Sequence, residues 1–147
     1  MACHEQLSAQ LPRGAQPASA PPQRVIQRSA ESYELPCSVC GQIAVEVHPA
    51  GSEEKILRGI ICAGITRAVG LDPARNEDFF RWLAAGDLAS FHAYLEDHVD
   101  GGLDAYCPTC DRIYCRRHYN VREEFDEGSY DCSRGICPQG HARKIDD

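Results

Sequence analysis

The stretch from Tyr106 to His141, YCPTCDRIYCRRHYNVREEFDEGSYDCSRGICPQGH, places five cysteines (Cys107, Cys110, Cys115, Cys132, Cys137) and two histidines (His118, His141) within 36 residues. Thiolates and imidazoles at gaps of two to four residues are what a tetrahedral zinc site requires. Seven candidate ligands fall one short of two sites. Far upstream, Cys37 and Cys40 supply another pair. How these groups divide between metals therefore constrains the fold more than any other feature.

The ligands fall into four pairs, Cys37/Cys40, Cys107/Cys110, Cys115/His118 and Cys137/His141, with Cys132 as an alternate. A sequential division closes one site with Cys107, Cys110, Cys115 and His118, and the other with Cys37, Cys40, Cys137 and His141. An interleaved division joins Cys37, Cys40, Cys115 and His118 at one zinc, and Cys107, Cys110, Cys137 and His141 at a second. Only four residues separate Cys110 from Cys115, and Ile113-Tyr114 reads as a strand leaving the knuckle. A strand rises about 3.3 Å per residue and carries the next pair away from the first metal. This favours interleaving, with Cys132 in place of Cys137 still open. Either division gives two structural zinc ions per chain, which supply folding free energy that a small core lacks.

The rest of the chain reads as support for these sites. Residues 1–34 are Pro/Ala-rich and lack apolar periodicity, which predicts a disordered leader. In it Cys3-His4-Glu5, ahead of Pro36-Cys37, mimics a zinc deaminase pattern without a fold to carry it. Residues 35–51 hold the first knuckle, with Gly41 for its turn, followed by a strand in which Ile43, Val45 and Val47 alternate with polar neighbours. Residues 52–102 read as a block of about three helices. The first would run from a Ser52 cap along Leu57, Ile61, Ile65 and Ala68 to Gly70, with Cys62 in the core. A second would start at Asp72-Pro73, carry Phe79, Phe80, Trp82 and Leu83, and stop at Gly86. Asp87 would cap a third, lined by Leu88, Phe91, Leu95 and Val99. Residues 103–147 complete the zinc-binding part. The fold class is thus a small α+β zinc-stabilised domain with an inserted helical block.

Four ligand pairs in interleaved order resemble the RING finger and its cross-brace relatives, including short proteins of bacterial ubiquitin-like conjugation systems. The resemblance implies a ubiquitin or ubiquitin-like protein ligase that binds a conjugating enzyme and forms no covalent intermediate. Val39 sits where the family places an aliphatic contact for that enzyme. Pro138, after Cys137, matches a proline on the same surface, and Arg143 matches a basic contact residue. Phe79 and Trp82 offer a second partner surface. The alternative is a non-catalytic zinc-stabilised adaptor between proteins.

Charge limits the other classes. The net charge is −7, from 15 Lys and Arg against 22 Asp and Glu. This argues against nucleic acid, which binds by phosphate neutralisation, although Arg112, Arg116, Arg117 and Arg122 form a local basic cluster. No apolar run approaches a membrane span or a signal sequence, so an intracellular location is expected. In such a compartment paired Cys and His bind metal rather than form disulfides.

Overall fold

The computed structural model describes residues 24–51 and 58–147. Among these, three antiparallel sheets and two short α-helices surround a large apolar core cluster and a smaller one around Tyr114, Tyr119 and Ile145. The first sheet is a meander of β1 (Ile26–Gln27), β2 (Tyr33–Pro36), β3 (Ile43–Pro49), β4 (Ile60–Ala63) and β5 (Ala68–Leu71). A two-stranded ribbon pairs β6 (Tyr106–Cys107) with β7 (Arg112–Ile113). The C-terminal sheet has the order β10-β9-β8, from β8 (Arg122–Asp126), β9 (Ser129–Ile136) and β10 (Ala142–Asp146). No helix among the described residues is long and apolar enough to cross a membrane.

The strand expected after the first knuckle is present, but its alternation slips at the start. Val45 and Val47 are buried, whereas Ile43 is 38% exposed. The pairing register shifts between Leu35 and Pro36, which lies opposite Ile43, so the slip turns Ile43 outward.

The helical block is corrected at its beginning. The first expected helix is absent over 60–71, where β4 and β5 form a hairpin instead. Its early part, Ser52 to Leu57, lies outside the described residues. Ile60, Ile61 and Cys62 are buried in succession, the pattern of a strand covered on both faces rather than of a helical stripe. Gly70 does not end a helix. It lies in β5, where a side chain would meet the Arg58 carbonyl oxygen at 2.8 Å.

The other two helices form, the first of them shortened at its start. Asp72 accepts a bond from the Ala74 N–H and opens only a single 3-10 turn, Pro73–Arg75. Helix α1 spans Phe79–Ala85 and ends at Gly86, whose φ of 73° takes the left-handed region. Helix α2 spans Leu88–Glu96, capped by Asp87, which accepts from the Ser90 N–H at 3.2 Å. Phe79 is wholly buried and packs edge-on against Phe80, Phe91 and Tyr94. The expectation that Phe79 faces a partner is therefore corrected, because its ring is core. Trp82 is half-buried beside Tyr94.

The end of the expected leader is also corrected. Residues 24–34 carry β1 and the start of β2, with Tyr33 buried. Arg24 grips the second Cys-x-x-Cys knuckle through both carboxylate oxygens and the carbonyl of Asp111, at 2.9–3.0 Å. Residues 1–23, including Cys3 and His4, lie outside the described residues.

The β4–β5 turn fastens the first sheet to the metal-ligand region. Buried Asp104 accepts from the Ile65 N–H (3.0 Å), the Thr66 N–H (2.8 Å) and the Thr66 hydroxyl (2.7 Å). Gly64 leaves room for that carboxylate. Arg67 then donates to the Gly102 and Ile145 carbonyls and to Asp146. Replacing the buried Asp104 by Ala leaves two half-buried N–H groups and the Thr66 hydroxyl without their acceptor, with an expected cost of about 2–4 kcal/mol in denaturant unfolding.

Candidate metal centres

Each ligand pair is presented by a tight turn whose backbone the sequence sets locally. In the first knuckle the Gly41 N–H donates to the Cys37 carbonyl at 2.9 Å, and the Cys37 N–H donates to the Gln42 carbonyl at 2.7 Å. Gly41 has φ of 79°. The second knuckle repeats the turn, with the Asp111 N–H donating to the Cys107 carbonyl at 2.7 Å and Asp111 at φ 57°. Asp tolerates this left-handed position better than most residues. The Arg24 pair and the Tyr106 hydroxyl, at 2.6 Å, hold its carboxylate. Arg24, rather than burial, keeps that carboxyl below its ordinary range.

The structure brings the four pairs together in interleaved order. Cys37, Cys40, Cys115 and His118 form one cluster, and Cys107, Cys110, Cys137 and His141 the other, with ligand atoms in each within 4.8 Å of one another. The crossing is built by β7. The Ser38 N–H and hydroxyl both donate to the Ile113 carbonyl, at 2.8 and 3.0 Å, which seats the first knuckle on the strand leading to Cys115. The Tyr114 N–H donates to the Ala105 carbonyl, which anchors the same segment beside Cys107.

The distances within each cluster fit a single tetrahedral ion. Zn–S bonds of about 2.3 Å and Zn–N bonds of about 2.0–2.1 Å give S···S edges of about 3.8 Å and S···N edges of about 3.6 Å. In the first cluster Cys40 and Cys115 sulfurs are 3.8 Å apart, and His118 Nδ1 lies 3.7 Å from Cys37 and 3.2 Å from Cys115. In the second, Cys110 and Cys137 sulfurs are 3.6 Å apart, with His141 Nδ1 3.3–3.7 Å from the three thiols. Disulfides need about 2.05 Å between sulfurs, so these are unbonded thiols held at ligand spacing. Each cluster is a closed set of three sulfurs and one nitrogen that could hold a metal ion, with no position left for water or substrate.

One thiol in each cluster is eased toward ionisation. Burial opposes the Cys37 thiolate, but the backbone N–H groups of Cys40, Cys115 and Val39 outweigh it and bring its pKa below the ordinary value. Cys137 is lowered in the same way, by the N–H groups of His141 and Gln139 against burial. Cys110 is pushed up to about 11, chiefly by burial. Proton release from such thiols accompanies metal binding.

Cys137, not Cys132, completes the second cluster. Cys132 lies in a third group with Glu124 and Asp131, its sulfur 3.6 Å from Glu124 Oε1. Cys62 is a core residue, its thiol raised to about 12 by burial. Val39 is 53% exposed, and Pro138 is also exposed. Arg143 is placed differently from the expected contact residue. Its guanidinium donates inward to the carbonyls of Gly101, Leu103, Tyr106 and Lys144 and to the Tyr119 hydroxyl. Sequence reading missed this strut and the Arg24–Asp111 clasp, because neither partner set is local in the chain.

A domain of unknown function (DUF8328) matches residues 27–147, which contain every ligand of both clusters. No curated protein and no solved structure matches the chain.

Proposed function

We propose that this chain, which belongs to the DUF8328 family, is a two-zinc protein-interaction module that binds a partner through its first metal knuckle. The observation that carries the reading is Val39, 53% exposed at the tip of a turn that a closed metal site would hold rigid. Ile43, at 38% exposure, is a second exposed apolar side chain at the start of β3. Rigid apolar groups lose little entropy on docking, which suits them to recognition. Zinc fits because three thiolates and an imidazole form a soft, tetrahedral donor set. The acidic chain and the closed sites speak for a protein partner over nucleic acid or metal-centred catalysis.

A second reading, a ubiquitin-like protein ligase, is favoured by the exposure of both Val39 and Pro138 on separate knuckles, as the RING resemblance implies. The inward commitment of Arg143 speaks for the adaptor instead.

Val39→Arg separates the readings. In pull-downs from the native cell, the variant is expected to lose a specific partner by about tenfold or more while keeping two metals per chain. Equal recovery of every partner by wild type and variant would overturn the knuckle surface. Acceleration of thioester discharge from a charged conjugating enzyme, lost in Val39→Arg, would establish the ligase reading in place of the adaptor.

A further inference from the structure

The β8–β9 hairpin projects from the metal-binding part and takes no part in either cluster. Every residue from 122 to 131 is exposed. The turn runs through Glu127 and Gly128, with φ of 51° and 84°. On it sit Phe125, 61% exposed, and Tyr130, 44% exposed, paired in register with ring centroids 6.2 Å apart and planes at 82°. They are two of the four large hydrophobic side chains exposed among the described residues. Strand β8 is the edge of its sheet, and its outer side pairs with no strand among the described residues.

Charge selects what can pair there. Residues 122–131 carry five acids (Glu123, Glu124, Asp126, Glu127, Asp131) and one base, Arg122. Arg116 and Arg134 pair with Glu123 and Glu124, but Asp126, Glu127 and Asp131 form no ion pair among the described residues. An acidic edge repels a second copy of itself and repels nucleic acid, while opposite charges on facing strands attract. The bulge between Glu124 and Phe125 places its extra residue, Asp131, in the inner strand β9, so β8 runs without an insertion and sets Phe125 opposite Tyr130.

We infer that the β8 edge binds an extended, Lys/Arg-bearing segment of a protein partner as an added strand, with Phe125 and Tyr130 packing on its apolar or cationic side chains. Main-chain bonds supply affinity in such additions, and alternate side chains supply specificity. The aromatic faces also attract cations. This surface is separate from the first knuckle and does not rest on the reading of Val39.

The test titrates the full-length, zinc-loaded chain with an eight-residue peptide alternating Lys and Val. Controls are its Glu counterpart and a Lys peptide with alternate amides N-methylated. The Lys peptide is expected to bind, to shift the amide resonances of residues 122–126, and to weaken as salt rises. N-methylation, or the double variant Phe125→Ser/Tyr130→Ser, is expected to weaken binding by about tenfold without changing metal content. Absence of binding would overturn the proposal. So would equal binding of the N-methylated peptide or of the double variant, since either outcome reduces the attraction to charge alone.

Discussion

Cys37→Ser and His118→Ala should each lose the same metal ion, leaving one per chain, although the two positions are 81 apart in the sequence. Cys107→Ser and His141→Ala should lose the other. Native mass spectrometry of the four variants reads this directly. The expectation follows from the interleaved clusters, in which Cys37 lies beside His118 and Cys107 beside His141. If Cys107→Ser and His118→Ala instead removed a common ion, the division of ligands would be sequential. The effect on stability should be large. Structural zinc contributes about 10–16 kcal/mol of apparent binding free energy at neutral pH, comparable to the whole stability of a small domain. Loss of either ion should therefore lower the unfolding temperature of the full chain, and removal of both by a chelator should abolish cooperative unfolding. The clusters are not independent in this respect. The segment from Cys107 to His118 gives two ligands to the second cluster and then two to the first, so loosening one end loosens the other.

The same segment shows what the sequence made legible. Ligand spacing and the short gap before Cys115 pointed to interleaving, because these are local constraints of reach. Cys137 read as the partner of His141, but nothing local removed Cys132 as an alternate. Both precede His141 at workable distance, and only the pairing of β9 with β8 fixes Cys132 opposite Glu124. The helices at Phe79–Ala85 and Leu88–Glu96 carry local start and stop signals in Asp87 and Gly86. The hairpin of β4 and β5 does not announce itself in that way. Ile60, Ile61 and Ile65 fit a helical stripe as well as a buried strand, and short apolar runs do not distinguish the two. What decides is distant. Asp104 binds the turn at Ile65 and Thr66, and Arg67 reaches Gly102 and Ile145. Long-range polar clasps of this kind override a local period, and Arg24–Asp111 does the same for the end of the expected leader.

Arg143→Ala should destabilise the chain by about 2–4 kcal/mol, although Arg143 is only half-buried and contacts no metal ligand by hydrogen bond. Its guanidinium spends every donor inside the fold. Nε donates to the Tyr106 carbonyl at 3.0 Å and to the Tyr119 hydroxyl at 3.1 Å. One terminal nitrogen reaches the Gly101 and Lys144 carbonyls at 2.8 and 3.1 Å. The other reaches Leu103 and Tyr106 at 2.7 and 2.8 Å. The Gly101 and Leu103 carbonyls lie on the loop between α2 and β6 and the Tyr106 carbonyl lies in β6, so the side chain holds β10 against the approach to Cys107. Tyr119 completes the strut. It is buried, donates to the Tyr106 carbonyl at 2.9 Å, and lays its ring against Gly135, where any side chain would collide with it. Arg143→Lys should recover less than half of the loss, because one ammonium has three donors and cannot span the same carbonyls. Denaturant unfolding of the metal-loaded chain measures both variants. A residue free to contact a partner would give the opposite pattern, with stability unchanged and binding lost. Finding that pattern would return Arg143 to the interaction surface and restore the balance toward the ligase reading.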